Sequence, residues 1–391
     1  MKLYIQRYIH HIGGLPDFTA LRFTKYNQYE SMILPMCKYI TDHGGKVLFD
    51  TTVTNIVCDC TEDKKVAKKI EYTQGGVEKV IELTENDLVI CTNGCQGDAS
   101  AYGDNTHAPV VKVKNGEGPS IEMWKKLAAQ DPAFGHPEKF FKDIKETSWE
   151  SWTVDTANKQ ILDAIQKICK RDPLSGKVVT GRDSSWLISW TINRQGQFQE
   201  QPKDHCLIWV YGLNCWDDKG DFIKKNMCDC TGIELAAEWL YHIGIPEDQI
   251  MDLATNECNT TPCMMPYVTT FFEPRAEGDR PKVVPDGAVN FAFIGQFAET
   301  PRDTIFTTEY SMRTGMESVY TLLDIDRGVP EVWGSKYDVR ELLRACYYAI
   351  DKKPISEVKL SFAEKELLKV VLKKTKGTDI ELLLKESGLI E

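Results

Sequence analysis

Two stretches of this 391-residue chain end an apolar run in glycine, an arrangement that lets backbone approach a ligand closely. Asp87-Leu-Val-Ile-Cys-Thr-Asn-Gly94 and Phe291-Ala-Phe-Ile-Gly295 each read as a short buried strand. Ligands of open α/β sheets sit beyond the carboxyl ends of such strands. The second run continues through Gln296, Phe297, Ala298 and Glu299 to Asp303, a turn rich in polar side chains. Taken alone, each is also what an ordinary strand-to-turn junction looks like. Gly116-Glu-Gly118 reads as a plain loop: Pro119 follows, there is no third glycine, and neither a flanking strand nor a flanking helix is expected. No G-x-G-x-x-G occurs in the sequence. The 13 cysteines include the C-x-C pairs Cys58/Cys60 and Cys228/Cys230 but no C-x-x-C. That spacing disfavours tetrahedral zinc and reads as free thiols of a reducing compartment.

The elements that would position these residues follow from periodicity. Asn27 to His43 reads as a helix with Met32, Ile33, Met36, Tyr39 and Ile40 at helical spacing, ended by Gly44-Gly45. Pro35 is awkward inside it unless the helix starts just before that residue. Lys46 to Val57 is rich in β-branched residues and predicts a strand, and Lys68 to Glu82 a hairpin around Gly75-Gly76. Between Gly97 and Lys203 the pattern yields only an aromatic-rich packed unit. Lys203 to Leu213 is a further strand, Phe222 to Asp229 a charged loop, and Thr231-Gly-Ile-Glu234 a capping box opening a helix through Ile243. Thr307 to Leu323 reads as a helix with Met312, Met316, Val319, Tyr320 and Leu323 on one face.

Composition narrows the class. Hydrophobic residues make up 42% and charged residues 27%, ordinary for a globular protein, and the net charge of −11 argues against a nucleic-acid partner. No run reaches the roughly 18 apolar residues of a membrane span. The expected location is cytoplasmic, or peripheral at the inner membrane face.

The strand-Gly-loop-helix unit at Phe291–Leu323 is similar to the second flavin-contacting element of flavoproteins with two dinucleotide-binding domains, and Asp87–Gly94 resembles their D-x-V-x-x-A-T-G strand. A closer resemblance covers nearly the whole chain. Tyr8-Ile-His-His-Ile-Gly-Gly-Leu15, Phe23-Thr-Lys-Tyr-Asn-Gln-Tyr-Glu-Ser31, Ile168-Cys-Lys-Arg-Asp-Pro173 and Glu238-Trp-Leu-Tyr-His242 resemble segments of the FAD-binding oleate hydratase (myosin-cross-reactive antigen) family. So do Gly278-Asp-Arg-Pro-Lys-Val-Val-Pro285, Phe293-Ile-Gly-Gln-Phe-Ala-Glu-Thr-Pro-Arg-Asp303, Phe306-Thr-Thr-Glu-Tyr-Ser311 and Asp326-Arg-Gly-Val-Pro-Glu331.

The resemblance implies addition of water to the cis double bond of an unsaturated fatty acid such as oleate or linoleate, giving a 10-hydroxy fatty acid, with FAD in no net redox role. Tyr4 matches the proposed proton donor; a phenol near pKa 10 is protonated at neutral pH. Read without the resemblance, Tyr4 is a terminal aromatic three residues from the start. Gln28, Thr191 and Asn193 match positions assigned to the substrate carboxylate, with Gln197 where some members have His. Thr191 and Asn193 otherwise read as polar residues of a strand edge. Val53, Thr92, Asn93, Gly94, Gly295, Phe297, Glu299, Asp303, Thr307 and Ser311 are the flavin contacts implied by family position. Family members also carry an N-terminal segment with the G-x-G-x-x-G loop and an R-G-G-R-E motif whose Glu serves the attacking water. Neither motif stands in these 391 residues, so the resemblance implies poor FAD binding and weak turnover by this chain alone. Only Arg182 separates Gly181 from Asp183, where the family has a short β-like segment, which implies a shortened strand before Thr191.

The implied fold is α/β: a partial Rossmann-like FAD-binding domain with an α+β substrate domain and a helical C-terminal tail. Residues 1–96 and 286–330 serve the flavin side, 97–285 the substrate and 331–391 the tail. Ser361–Lys376 is an amphipathic helix with Leu360, Ala363, Leu367 and Val371 on one stripe and Lys365, Lys369, Lys373 and Lys376 on another. Gly377 breaks it and Thr378 caps a second helix. Such a helix either lies on an anionic membrane or docks on the protein with a solvated lysine face. Membership also implies a homodimer. Two other functions stay open from the residues: a redox flavoprotein, and a lipid-binding protein without turnover.

Overall fold

The computed structural model describes all residues except 1, 15–23, 171–177, 193–194, 302, 305–306 and 331. The strands are β1 (Thr51–Cys60), β2 (Lys65–Gln74), β3 (Val77–Glu82), β4 (Val89–Thr92), β5 (Ala101–Tyr102), β6 (Trp149–Thr156), β7 (Val178–Thr180), β8 (Ser189–Thr191), β9 (Cys206–Gly212), β10 (Asn259–Met265) and β11 (Phe291–Ile294). The helices are α1 (Lys2–Tyr8), α2 (Leu34–Asp42), α3 (Pro119–Ala128), α4 (Ile144–Thr147), α5 (Lys159–Cys169), α6 (Gly232–His242), α7 (Glu247–Asn256), α8 (Thr308–Leu322), α9 (Val339–Ala349), α10 (Phe362–Thr375) and α11 (Asp379–Glu386). The class is mixed helix and sheet, α/β in the coarse sense. The chain divides into two compact units: residues 1–22, 300–305 and 330–391 form one, and residues 23–299 and 306–329 the other.

Among the described residues the larger unit holds three sheets. A six-stranded antiparallel sheet runs in the order β5-β10-β6-β9-β8-β7. Along β9 residues alternate buried and half-buried, so one face is core and the other partly open. Trp152, Val154, Ile208, Val210 and Trp190 line the core face, against Leu235, Trp239 and Leu240 of α6 and Ile250 of α7. The Thr231–Glu234 capping box forms as expected, with both reciprocal bonds present, and α6 ends at His242. The aromatic-rich stretch resolves into β6 to β8 and α3 to α5, two-residue periodicity having been hidden by tryptophans on both faces. β1, β2 and β3 form an antiparallel sheet, with the β2–β3 turn at Gly75-Gly76 as the sequence predicts. The third sheet is the parallel pair β4 and β11. Asn290 ties it to β2: its Oδ1 accepts from Ala67 N at 2.8 Å, and its Nδ2 donates to the carbonyls of Ala67 and Thr84 at 3.1 Å.

Several elements depart from expectation. The strand expected over Lys46–Val57 begins only at Thr51. A π-helical turn, Tyr29–Ile33, runs directly into α2, and Pro35 is the second residue of α2, where the hydrogen-bond pattern changes from π to α. The apolar stripe of that segment is not core: Ile33, Met36, Tyr39 and Ile40 are all exposed. In α8 the buried side is Tyr310, Thr314 and Ser318, whereas Met312 and Leu323 are exposed. Hydrogen bonds decide this docking: Tyr310 Oη donates to Ala298 O at 2.6 Å, and Gly295 N to Thr314 Oγ1 at 3.0 Å.

In the smaller unit α1 is anchored by Arg7 Nε donating to Asp303 Oδ1 at 3.2 Å. α10 opens with a capping box, Ser361 with Glu364, and buries no residue. Thr378 does not cap α11 through its side chain as expected; its hydroxyl donates back to Thr375 O, and Gly377 N donates to Glu381 Oε2. Among the described residues no helix is long and apolar enough to cross a membrane.

Candidate functional site

Two places in the larger unit gather the residues singled out by sequence. The first is the shared carboxyl end of β4 and β11. Because Ile294 pairs with Thr92 in parallel register, the turns at Asn93-Gly94 and Gly295 leave the sheet side by side. Gly295 has φ +87°, in the region that favours glycine. A Cβ on Gly94 would come within 2.9 Å of the Phe297 ring. Asn93 is fully buried; its Nδ2 donates to Phe297 O at 3.2 Å and its Oδ1 has no partner. An orphaned acceptor beside two glycine turns at parallel strand ends fits one edge of a dinucleotide. The fit is to that edge only, since Gly295 N–H is already given to Thr314.

The other expected flavin contacts lie apart from these two turns or have other protein partners. Phe297 is fully buried, its ring centroid 5.1–5.6 Å from those of Phe141, Phe140 and Trp124, so its side chain is core. Glu299 holds Arg280 through two contacts of 2.8 Å. Val53 lies on β1 opposite Tyr72 and packs against the cluster of buried side chains that includes Ile56, Trp124 and Phe297. Thr307 is the N-cap position of α8 without a side-chain cap bond, and Ser311 is exposed on its first turn. Asp303 belongs to the smaller unit, where Arg7 engages it.

The second place is the open face of the six-stranded sheet. Thr191 ends β8, 2% exposed, and its Oγ1 has no hydrogen-bond partner. Its neighbour Ser189 is satisfied by the hydroxyl of Thr180 at 2.8 Å. β7 and β8 have three residues each and form a hairpin joined through residues 181–188, at whose base Gly181 N donates to Ile188 O at 2.8 Å. That hairpin is clasped from α6. Ser185 gives its N–H and hydroxyl to the two oxygens of Asp221 at 2.8 and 2.6 Å. Glu238, fully buried, accepts the backbone N–H groups of Asp221, Phe222 and Ile223 at 2.6–2.9 Å. His242 Nε2 lies 3.2 Å from both carboxylates. Burial alone would raise Asp221 and Glu238; Ser185, the backbone donors and His242 hold both below their ordinary values. Asp221, Glu238 and His242 are the one group among the described residues with metal-like spacing. Protein donors already fill both oxygens of Glu238, so the cluster serves as a clasp.

Gln28 is exposed, and its segment is drawn to that of Gln197: Asn27 N and Nδ2 both donate to Gln197 O, at 3.0 and 2.8 Å. The structure thus brings these two expected carboxylate residues together. Asn193 lies outside the described residues. Tyr4 is in the smaller unit, on α1, stacked parallel to Tyr8 with ring centroids 6.4 Å apart, so it is held in a helix. That unit has a cavity of about 230 Å³ lined by Ile9–Gly14, Glu341, Arg344 and Tyr348, none of them an expected site residue. Burial first, then His11 and Arg7, push His10 there down to about 4.

Comparison with known proteins gives the descent. The family model described as the MCRA family matches residues 1–320. The chain belongs to the MCRA family. An MCRA-type relative from Streptococcus pyogenes serotype M49 (strain NZ131), named oleate hydratase, is 48% identical over 398 aligned positions, covering 100% of this chain and 67% of the relative. A linoleate hydratase of Lactiplantibacillus plantarum is 30% identical over 340 positions, 82% of this chain and 59% of its own length. The chain therefore spans about two thirds or less of these relatives. In this MCRA-family chain sequence reasoning missed Glu150, Trp149, Trp209 and Tyr211. The alternation of Leu207, Trp209 and Tyr211 with Ile208 and Val210 in the expected strand was the signal for two of them; Trp149 and Glu150 had none, since tryptophans on both faces of β6 hide its period.

Proposed function

We propose that this chain takes part in the hydration of unsaturated fatty acids, adding water to a cis double bond of oleate or linoleate to give a 10-hydroxy acid. The observation that carries the reading is 48% identity along the whole chain with an oleate hydratase. The unpaired hydroxyl of Thr191 supports it, since a buried donor without an acceptor is what a carboxylate-binding site needs. In this reading Thr191, Asn193, Gln28 and Gln197 hold the substrate carboxylate and fix where the double bond lies. The alkene is a weak base, so its protonation needs a placed acid; Tyr4 supplies that proton. FAD, bound in part by the carboxyl ends of β4 and β11 in a Rossmann-like arrangement, helps organise the site and undergoes no net oxidation or reduction. Asn93, Gly94 and Gly295 are the residues that would meet it. The exposed apolar and lysine stripes of α10 lie on an anionic membrane surface, from which the acid is taken.

The test is mass spectrometry of oleate incubated with the purified chain and FAD, beside the Tyr4→Phe variant. A product heavier by one water, lost in the variant, is expected. Flavin bleaching by substrate without water gain would replace this reading with a redox one. Bound acid and bound FAD without product would leave lipid binding as the function.

A further inference from the structure

The half-open sheet face carries three aromatic rings that no residue of the expected site accounts for. Trp209 is the direct cross-strand partner of Thr191, so their side chains are neighbours on one face. The Trp209 and Tyr211 rings are 4.8 Å apart between centroids, and Tyr211 and Trp149 4.9 Å. Trp149 also meets Trp209 edge to face at 6.5 Å. The register sets all three on the same side. Ser151 pairs with Tyr211 and Thr153 with Trp209, and Trp149 lies two residues before Ser151. All three rings are only partly buried, whereas the alternate residues Ile208 and Val210 are fully buried in the core. The face thus presents a buried polar atom, then Trp209 and Tyr211, with Trp149 farthest from Thr191 along the register and its ring meeting both of the others.

Resting on the fatty-acid reading above, we infer that Trp209, Tyr211 and Trp149 form the acyl-chain subsite, with the carboxylate at Thr191 and Trp149 selecting for chain length. A linear chain anchored at Thr191 crosses Trp209 first, Tyr211 next and Trp149 last. Aromatic rings offer a large apolar surface at little cost in side-chain entropy, and each methylene moved from water onto apolar surface tightens binding about fourfold. A short acid ends before Trp149 and gains nothing from it. A long acid covers it. The charge and hydrogen-bond chemistry lies at the Thr191 end, so the two ends of the subsite can be separated by mutation.

The experiment is calorimetric titration of the full chain with oleate and with octanoate, each below its micelle concentration. It uses the parent, Trp149→Ala, Trp149→Phe, Trp209→Ala and Thr191→Val, each checked for native near-UV circular dichroism. Trp149→Ala is expected to weaken oleate tenfold or more and octanoate less than twofold, and Trp149→Phe to restore most of the oleate affinity. Trp209→Ala and Thr191→Val should weaken both acids alike. If Trp149→Ala does not fold, Trp149→Phe and Trp149→Leu give the same comparison, with a smaller loss confined to oleate. Equal effects of the Trp149 variants on both acids, or none on either, overturn the subsite while the fatty-acid reading stands. Failure of the parent to bind either acid overturns both.

Discussion

Glu150 should make the larger unit less stable as pH rises above the ordinary carboxyl range, and Glu150→Gln should remove that contribution. The residue sits on the core face of β6, fully buried, with neither carboxyl oxygen hydrogen-bonded. Burial holds its carboxyl well above the ordinary value of 4.5, and the nearby charge of Asp229 pushes it the same way. The folded chain therefore keeps the proton at pH values where the unfolded chain has released it. With one more proton bound in the folded state, unfolding free energy falls by about 1.4 kcal/mol per pH unit. The contribution is complete below the unfolded value of 4.5 and is lost as pH climbs toward the raised folded value. Between pH 5.5 and 7.5 the unfolding free energy therefore falls, against a domain's usual stability of about 5–15 kcal/mol. The surrounding thiols do not confuse the window, since burial pushes Cys228 up to about 12 and Cys215 and Cys230 higher. Urea unfolding at both pH values, read by tryptophan fluorescence, compares the parent with Glu150→Gln. The gap between the two chains should widen on going to pH 7.5. A gap independent of pH would refute a neutral buried Glu150.

Three further outcomes follow from the packing. Asn290→Ala takes away the partner of the Ala67 N–H and carbonyl, while Thr84 O keeps the Asp87 N–H, and should cost about 2–4 kcal/mol in urea unfolding given the penalty per buried orphan; a loss below 0.5 kcal/mol would contradict it. Arg280, fully buried and held by Glu299 at 2.8 Å, should cost about 3–5 kcal/mol when changed to Met, because Glu299 loses its partner; Arg280→Met with Glu299→Gln should recover part of this. On the tail, Phe362, Leu367, Val370 and Val371 are exposed on α10, so flotation with phosphatidylglycerol vesicles should fall on changing Leu367 and Val371 to Ser and fade at high salt. Equal flotation of both chains would end the membrane reading.

Local pattern in the sequence was enough for the elements whose ends are encoded in a few neighbouring residues. The Thr231–Glu234 capping box, the Gly75-Gly76 hairpin, the two strand-Gly junctions and the break at Gly377 are of this kind, each set by backbone chemistry within four residues. The resemblance carried by ordered motifs gave the family without any fold. What the sequence left undecided was which face of an element is inside. α8 turned its Tyr310-Thr314-Ser318 side inward, against its apolar stripe, because buried backbone groups at Gly295 and Ala298 needed partners that only those side chains offer. Phe297 reads as a ligand contact by position and is core, since three other aromatics close around it. Only the register of six antiparallel strands, fixed across residues far apart in the chain, puts Thr191 beside Trp209 and leaves Glu150 without a partner on the opposite face.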